Sequence, residues 1–399
     1  MKRSVYLDNH ATTRVDPRVL EAMLPYFSER YGNAASMQHE FGWVAESATE
    51  RARTQVAGLI GAAPSEIVFT SGATESINLA IKGVAEGLGF RGNHLITAAT
   101  EHRAVLDSCH RLEEAGFRVT YLPVDETGTI TADGVSDAIT AETILVSIMT
   151  ANNEIGTIAP VAEIARVCKD RGVLFHTDAT QAAGKIPIDV ATLQVDLLSF
   201  SAHKLYGPKG IGALYVRTAR PTVRLTPQID GGGHERGLRS GTLNAPAVVG
   251  FGEAARIARE EMAEEAPRVR ALRDRLVNGI IDRLDRVRVN GHPVNRLPNN
   301  ASMTFEGTRA DRIMMDMKDI AVSAGSACSS ASPEPSHVLR AIGLPDNLVL
   351  ATIRFGLGRF TTEDEIAYTI DRVVGTVQRA RSHAAGPVPN DLQTMTTAQ

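Results

Sequence analysis

Cysteine is scarce in this chain: Cys109, Cys168 and Cys328 are the only three in 399 residues, and no two stand in a CxxC spacing. That excludes a disulfide framework or a cysteine-rich zinc site, and points to a reducing, cytoplasmic setting with no bound metal. No run approaches the ~20 apolar residues of a membrane span. The opening Met1-Lys2-Arg3-Ser4-Val5 carries basic residues without a long apolar stretch behind them, so it does not read as a signal peptide. Charge of one sign is lacking too: Lys and Arg number 42 against 46 Asp and Glu, a formal net charge of -4. With no basic run and no aromatic-basic stripe, neither nucleic acid nor an acidic membrane surface is an expected partner. Neither a Walker A pattern nor GxGxxG is present, because Gly207 to Gly212 and Gly231 to Gly237 have the wrong spacing. Nucleoside triphosphates and nicotinamide cofactors lose ground accordingly.

What is present is an alternation of helical and strand patterns from about Asp16 to Arg217, the mark of an α/β fold with a mostly parallel sheet covered on both sides. From about Gly250 to Val289 a long, charged, amphipathic helical stretch follows, which Pro267 is expected to kink or break. Strand-like segments at Asn300 to Phe305 and Ile320 to Ser323 come next. A final helix is announced by the capping box Thr362-x-x-Glu365 and by apolar Ile366, Ile370, Val373, Val374 and Val377. The expected division is a large domain over 14–258, a smaller α/β domain over 1–13 plus 259–385, and a mobile tail over 386–399. No internal repeat is found.

The chemistry begins between Val173 and Gly210. Val173-Leu174-Phe175 runs into His176-Thr177-Asp178, and Val195 through Phe200 runs into Ser201-Ala202-His203-Lys204. Both read as buried parallel strands, and ligands of open α/β sheets sit beyond the carboxyl ends of such strands. Taken singly, a Lys after a strand is an ordinary solvated loop residue and a strand-end Asp an ordinary helix cap. Together, with the rigid turn Gly207-Pro208-Lys209-Gly210 behind the amine and Gln181 a short turn after the acid, they fit pyridoxal 5'-phosphate: an amine for a Schiff base and a carboxylate for the pyridine nitrogen. A phosphate has a matching place at Ile67 to Ser76, where a β-rich run enters Thr70-Ser71-Gly72-Ala73-Thr74 and then a helix, although an ordinary helix cap would look the same.

Seven motifs in order then carry a resemblance. Leu7-Asp8-Asn9-His10-Ala11-Thr12-Thr13, Thr70-Ser71-Gly72-Ala73-Thr74-Glu75-Ser76, Thr100-Glu101-His102, Asn152-Asn153-Glu154-Ile155-Gly156, Asp178-Ala179-Thr180-Gln181, Ser201-Ala202-His203-Lys204 and Arg239-Ser240-Gly241-Thr242 resemble those of the cysteine desulfurases, fold-type I enzymes similar to the class V aminotransferases. The resemblance extends to about Arg381. It implies that Lys204 binds the cofactor and moves the Cα proton, that Asp178 faces the pyridine nitrogen, and that Gln181 bonds the ring phenolic oxygen. It further implies that His102 stacks on the ring and transfers protons, and that Ala73, Thr74, Ser201 and His203 hold the phosphate. Thr242 would reach a neighbouring subunit's phosphate in a homodimer, while Asn153 and Arg354 orient the substrate. The alternative for Arg354 is a strand residue paired to a local acid.

Cys328 sits in Ser323-Ala324-Gly325-Ser326-Ala327-Cys328-Ser329-Ser330-Ala331-Ser332, small and polar, whereas Cys109 and Cys168 fall at helical spacing with apolar neighbours. The resemblance therefore implies Cys328 as nucleophile, on a mobile loop over about 323–336 of the branch that serves iron-sulfur cluster assembly. L-cysteine would become L-alanine, with its sulfur passed to Cys328 as a persulfide and then to an acceptor such as an iron-sulfur scaffold protein. Two positions depart from the family pattern, Ala34 where many members have Pro and Thr150 where many have His, and the terminal segment does not resemble the scaffold-docking end of relatives. A selenocysteine lyase, another class V aminotransferase, and a non-catalytic sulfur-relay subunit remain the alternatives.

Overall fold

The computed structural model describes residues 4–219, 222–324 and 335–384. Cys328, with the rest of 325–334, and the expected tail over 386–399 lie outside the described residues. Thirteen strands are described: β1 (Val5–Tyr6), β2 (Ile67–Thr70), β3 (His94–Ala98), β4 (Arg118–Leu122), β5 (Thr143–Ser147), β6 (Leu174–Asp178), β7 (Leu197–Ser201), β8 (Gly212–Val216), β9 (Val287–Asn290), β10 (Asn300–Phe305), β11 (Ile320–Ala321), β12 (Ser323–Ala324) and β13 (Thr352–Gly356). Seven form one sheet in the order β2-β8-β7-β6-β5-β3-β4, in which β8 alone runs against the others. The expected α/β fold with a large, mostly parallel sheet is what the chain adopts.

Continuous apolar runs are required here because both faces of the sheet are covered. Ile96, Val146 and Leu198 enter one hydrophobic cluster with Val56 and Phe251, while their chain neighbours Leu95, Leu145 and Leu197 enter another with Ile77 and Ile81. Alternate residues thus serve opposite layers. A second sheet, antiparallel β12-β13-β10-β9, has its own cluster of Met303, Phe305, Ile353 and Phe355, to which β1 contributes Val5 after pairing with β11. The segment expected as one strand at Ile320 to Ser323 is therefore divided: β11 pairs with β1 and β12 with β13.

Pro267 neither breaks nor ends its helix, which runs from Ala245 to Ile281. Its missing N–H frees the carbonyl of Ala263, and both residues are exposed, so water can take the place of the lost bond. Buried Phe251 and Ala255 on one side of the proline, and Leu272 and Leu276 on the other, hold the two halves to different clusters. The capping box is as expected: Thr362 N donates to Glu365 Oε2 at 2.9 Å and Glu365 N to Thr362 Oγ1 at 3.2 Å.

Candidate active site

The carboxyl ends of five strands, β2, β3, β5, β6 and β7, converge on one cavity of about 470 Å³. Asp178 ends β6 and Ser201 ends β7, its neighbour in parallel register, with Asp178 opposite Ser199. A single helical turn, Ala202–Lys204, then brings His203 and Lys204 to the cavity wall. β2 delivers Thr70 to a two-residue turn and the helix Ala73–Leu88, whose N-cap, Gly72, offers no side chain to its first N–H groups. These donors and the positive end of the helix dipole face the cavity with Thr74. The turn exists only because β8 can pass it closely: a Cβ at Gly212 would stand 2.7 Å from Gly72 Cα and 2.8 Å from Phe200 O.

Nine of the expected site residues line this cavity. Ala73, Thr74, Ser201 and His203 lie toward the helix N-terminus; His102, Asn153, Asp178, Gln181 and Lys204 complete the wall. Arg354 and Thr242 are not among the lining residues. Arg354 is buried on β13, where Nη1 donates to Asn153 O at 2.9 Å and Nη2 meets Asp8 Oδ1 at 3.1 Å, so the pairing to a local acid is real. Thr242 is exposed. Cys109 and Cys168 are buried, and burial pushes both thiols up to about 12, which leaves them inert.

Charge inside the cavity is controlled by burial and pairing. The Lys204 amine donates to the backbone carbonyls of His10 and Ala11, the latter at 2.7 Å. His102 caps the helix Arg103–Glu114 by accepting from Ala104 N at 3.1 Å, so the structural role of a strand-to-helix histidine and a place in the cavity coexist. Burial holds its ring below the ordinary histidine value, with Asp178 pulling up and Lys204 pushing down. His203 is lowered to about 4 by burial, then by Lys204 and Lys209. Both rings are neutral near pH 7, and because His102 Nδ1 accepts from the backbone, its ring proton sits on Nε2. At the rim, burial alone would raise Glu75, but Arg239 at 2.8 Å and the Ser71 N–H outweigh it and hold the carboxyl below its ordinary value.

Several lining residues carry no expectation from the sequence, among them His10, Thr12, Thr180 and Met149. His10, Thr12 and Thr180 stand within the motifs that carry the resemblance, so the sequence offered a signal of place but none of role. Two buried polar atoms in the wall, Asn153 Oδ1 and Thr180 Oγ1, have no partner among the described residues.

Residues 5–368 match the model of the Aminotransferase class-V family. The chain belongs to that family. Class-V aminotransferases depend on pyridoxal 5'-phosphate. Among curated relatives, the cysteine desulfurase IscS of Anaeromyxobacter sp. (strain Fw109-5) is 57% identical over 381 residues, covering 96% of this chain and 94% of its own length. The IscS of Serratia proteamaculans (strain 568) is 54% identical over 383 residues, with the same coverage of 96% and 94%. Among solved structures, a NifS-like protein superposes with a TM-score of 0.88 at 41% identity, covering 94% of this chain and 100% of its own. SspA, solved in complex with cysteine, reaches 0.80 at 41% identity over 90% of this chain and 100% of its own.

The class-V cofactor fits the residues present. It has a phosphate, for which the uncapped helix N-terminus is built, and a pyridine nitrogen, for which the Asp178 carboxylate stands in the wall. Its aldehyde requires an amine, which Lys204 supplies. The unpartnered Asn153 Oδ1 and Thr180 Oγ1 leave polar capacity that a polar ligand would satisfy.

Proposed function

We propose that this chain is a cysteine desulfurase that uses pyridoxal 5'-phosphate to convert L-cysteine to L-alanine and to pass the sulfur, as a persulfide on Cys328, to acceptor proteins. The carrying observation is the meeting of Lys204, Asp178, Gln181 and an uncapped helix N-terminus in one cavity, in a chain 57% identical to a named cysteine desulfurase. When bound, the cofactor supplies an electron sink for the pair released at the substrate Cα. Lys204 would hold it and move the Cα proton; Asp178 would keep the ring nitrogen protonated; Ala73, Thr74, Ser201 and His203 would hold the phosphate. His102, neutral because it is buried, would lie against the ring and serve in proton transfer. Asn153 and Arg354 orient the substrate, and a substrate carboxylate would compete with Asp8 for the Arg354 fork or take up its buried Nε, which has no partner among the described residues. The Cys328 thiolate attacks the substrate sulfur: an S–S bond forms, the Cβ–S bond breaks, and its electron pair stays with the carbon, which is protonated to give alanine.

The finer assignments follow from the same reading. A homodimer is supported by an exposed apolar stretch, Leu24, Phe27, Tyr31, Met37, Phe41 and Trp43, that water alone would cover poorly, and by Thr242, which is exposed and free to reach a second copy's phosphate. The division into 14–258 and 1–13 plus 259–385 is supported by hydrophobic clusters that separate Phe175 and Phe200 from Leu7, Met303 and Phe355. The proposed acceptor is an iron-sulfur scaffold protein and the proposed location the cytoplasm; among the described residues no helix is long and apolar enough to cross a membrane.

The test is direct. Cys328→Ala should take up the cofactor with its visible absorption intact and release no sulfide from cysteine, while Lys204→Ala should lose that absorption. Continued sulfide release by Cys328→Ala would overturn the assignment. Comparing sulfide release from cysteine with selenide release from selenocysteine separates the lyase alternative.

A further inference from the structure

His10 is buried, and both its ring nitrogens are engaged: Nδ1 lies 2.9 Å from Gln181 Oε1 and Nε2 lies 3.2 Å from Asn300 Nδ2. Which nitrogen carries the proton is decided by Asn300. Its Nδ2 also donates to Glu154 O at 3.1 Å, an acceptor that could not face the Asn300 carbonyl oxygen, so the amide has one allowed orientation. Gly156, at φ 75°, lets Asn300 sit there, since a Cβ at that position would come within 2.6 Å of Asn300 Cγ. His10 Nε2 must therefore accept, and Nδ1 must donate to Gln181 Oε1.

Gln181 is thereby fixed in turn. Its Nε2 donates one hydrogen to His10 O at 3.1 Å, so residue 10 engages both ends of the Gln181 amide. One N–H is left over, on a side chain that lines the cavity. The same carbonyl of His10 accepts from Lys204 Nζ. We propose that His10 is a positioning residue that makes Gln181 an obligate N–H donor toward the oxygen on the cofactor ring, through a relay from Glu154 O by way of Asn300 and His10. The inference rests on the pyridoxal phosphate reading of the site. Its chemistry is that a flipped Gln181 would turn a carbonyl oxygen on an oxygen that carries negative charge. Burial, aided by Arg354, lowers His10 to about 3 against the opposing bond from Gln181, which keeps the ring neutral and Nε2 free to accept.

Two measurements test this. Imidazole 15N spectra of the purified protein, with His10 identified by its loss in His10→Asn, should show a neutral Nδ1–H ring unchanged from pH 6 to 8. An Nε2–H tautomer, or titration within that range, would overturn the relay whether or not cofactor binds. In the loaded protein, Gln181→Leu removes the donor, leaves the ring oxygen more basic, and should raise the pH at which the visible band titrates by about one unit. His10→Phe should raise it in the same way, and the double variant should move it no further than Gln181→Leu alone. His10→Asn, whose Nδ2 can stand where the ring Nδ1 stood, should stay near the wild-type value. Additive shifts, or a His10→Phe band that does not move while that of Gln181→Leu does, would overturn the proposal. Failure of wild type to take up pyridoxal phosphate would instead overturn the reading of the site and leave the tautomer measurement to decide the relay.

Discussion

Glu101 is a carboxylic acid with nowhere to put a charge. It has no exposed surface; Oε1 accepts from Met149 N at 2.7 Å, and Oε2 has no partner among the described residues. Burial pushes its carboxyl well above the ordinary 4.5, the Met149 N–H works the other way, and Asp178 adds a further upward push. Glu101 therefore keeps its proton to higher pH than an ordinary glutamate, and the sign of its linkage follows. Below pH 4.5 the folded and unfolded chains both carry the proton, so this group gives no pH dependence. Above it the unfolded chain releases the proton while the folded chain keeps it, and stability falls by up to about 1.4 kcal/mol per pH unit. Glu101→Gln keeps the acceptor for Met149 and cannot ionise, so its melting temperature should gain on wild type as pH rises from 4.5 toward 8. A gap between the two that stays constant over that range would show that the carboxyl ionises in place.

At the scale of elements, the short helix His337–Ala341 is held by one serine. Ser336 Oγ accepts from Leu339 N at 3.1 Å and donates to the buried carboxyl of Glu154, which burial raises to about 7 against the pull of Ser336 and Arg354. His337 reaches Glu101 O at 2.9 Å, next to His102, and Val338 and Leu339 pack on Ile155. Ser336→Ala removes a cap and leaves a buried carboxyl short of a donor, which should cost about 2 kcal/mol in urea denaturation, with Ser336→Thr costing much less. Equal losses in both would count against the hydroxyl as the cause. This element also marks how far a sequence can be read. The box of Thr362 and Glu365 is legible because its partners are three residues apart, whereas Ser336 and Glu154 are 182 apart and meet only in the fold. β6 and β7 were legible because burial on both faces demands unbroken apolar runs, yet the division of Ile320 to Ala324 between two sheets was not, since alternation says strand and never says which partner. Pro267 misled because the rule against proline assumes that the freed carbonyl finds no water, and Ala263 is exposed.

Across the whole molecule, Arg359 gathers what the chain order keeps apart. It follows β13 of the second sheet; its Nη1 meets Asp16 Oδ2 at 2.8 Å at the cap of the helix Pro17–Met23, and its Nε meets Glu265 Oε2 at 2.8 Å on the long helix. Its guanidinium lies 4.4 Å from the ring centroid of Tyr206, two residues beyond Lys204, and Arg359 N donates to Tyr206 OH at 2.6 Å. The side chains of Arg359 and Asp16 are 8% and 2% exposed, so removal of the cation leaves an acid with only Arg18 to answer it. Arg359→Ala should cost about 3–5 kcal/mol, and Arg359→Lys should recover little of it, because an ammonium cannot bridge two carboxylates while stacking on a ring. The pH dependence identifies the cause. Burial alone would raise Asp16, but the hydrogen bonds from Arg18 and Arg359 outweigh it and hold the folded-state value below the ordinary 3.8. The pair therefore contributes its full stability above pH 3.8 and loses it as pH falls through the lower folded-state value. Urea denaturation of wild type and Arg359→Ala should show a gap that is constant from pH 7 to 5 and narrows below 3.8. A gap that stays the same in acid would mean that Arg359 acts by packing on Tyr206 rather than by holding the buried carboxylate.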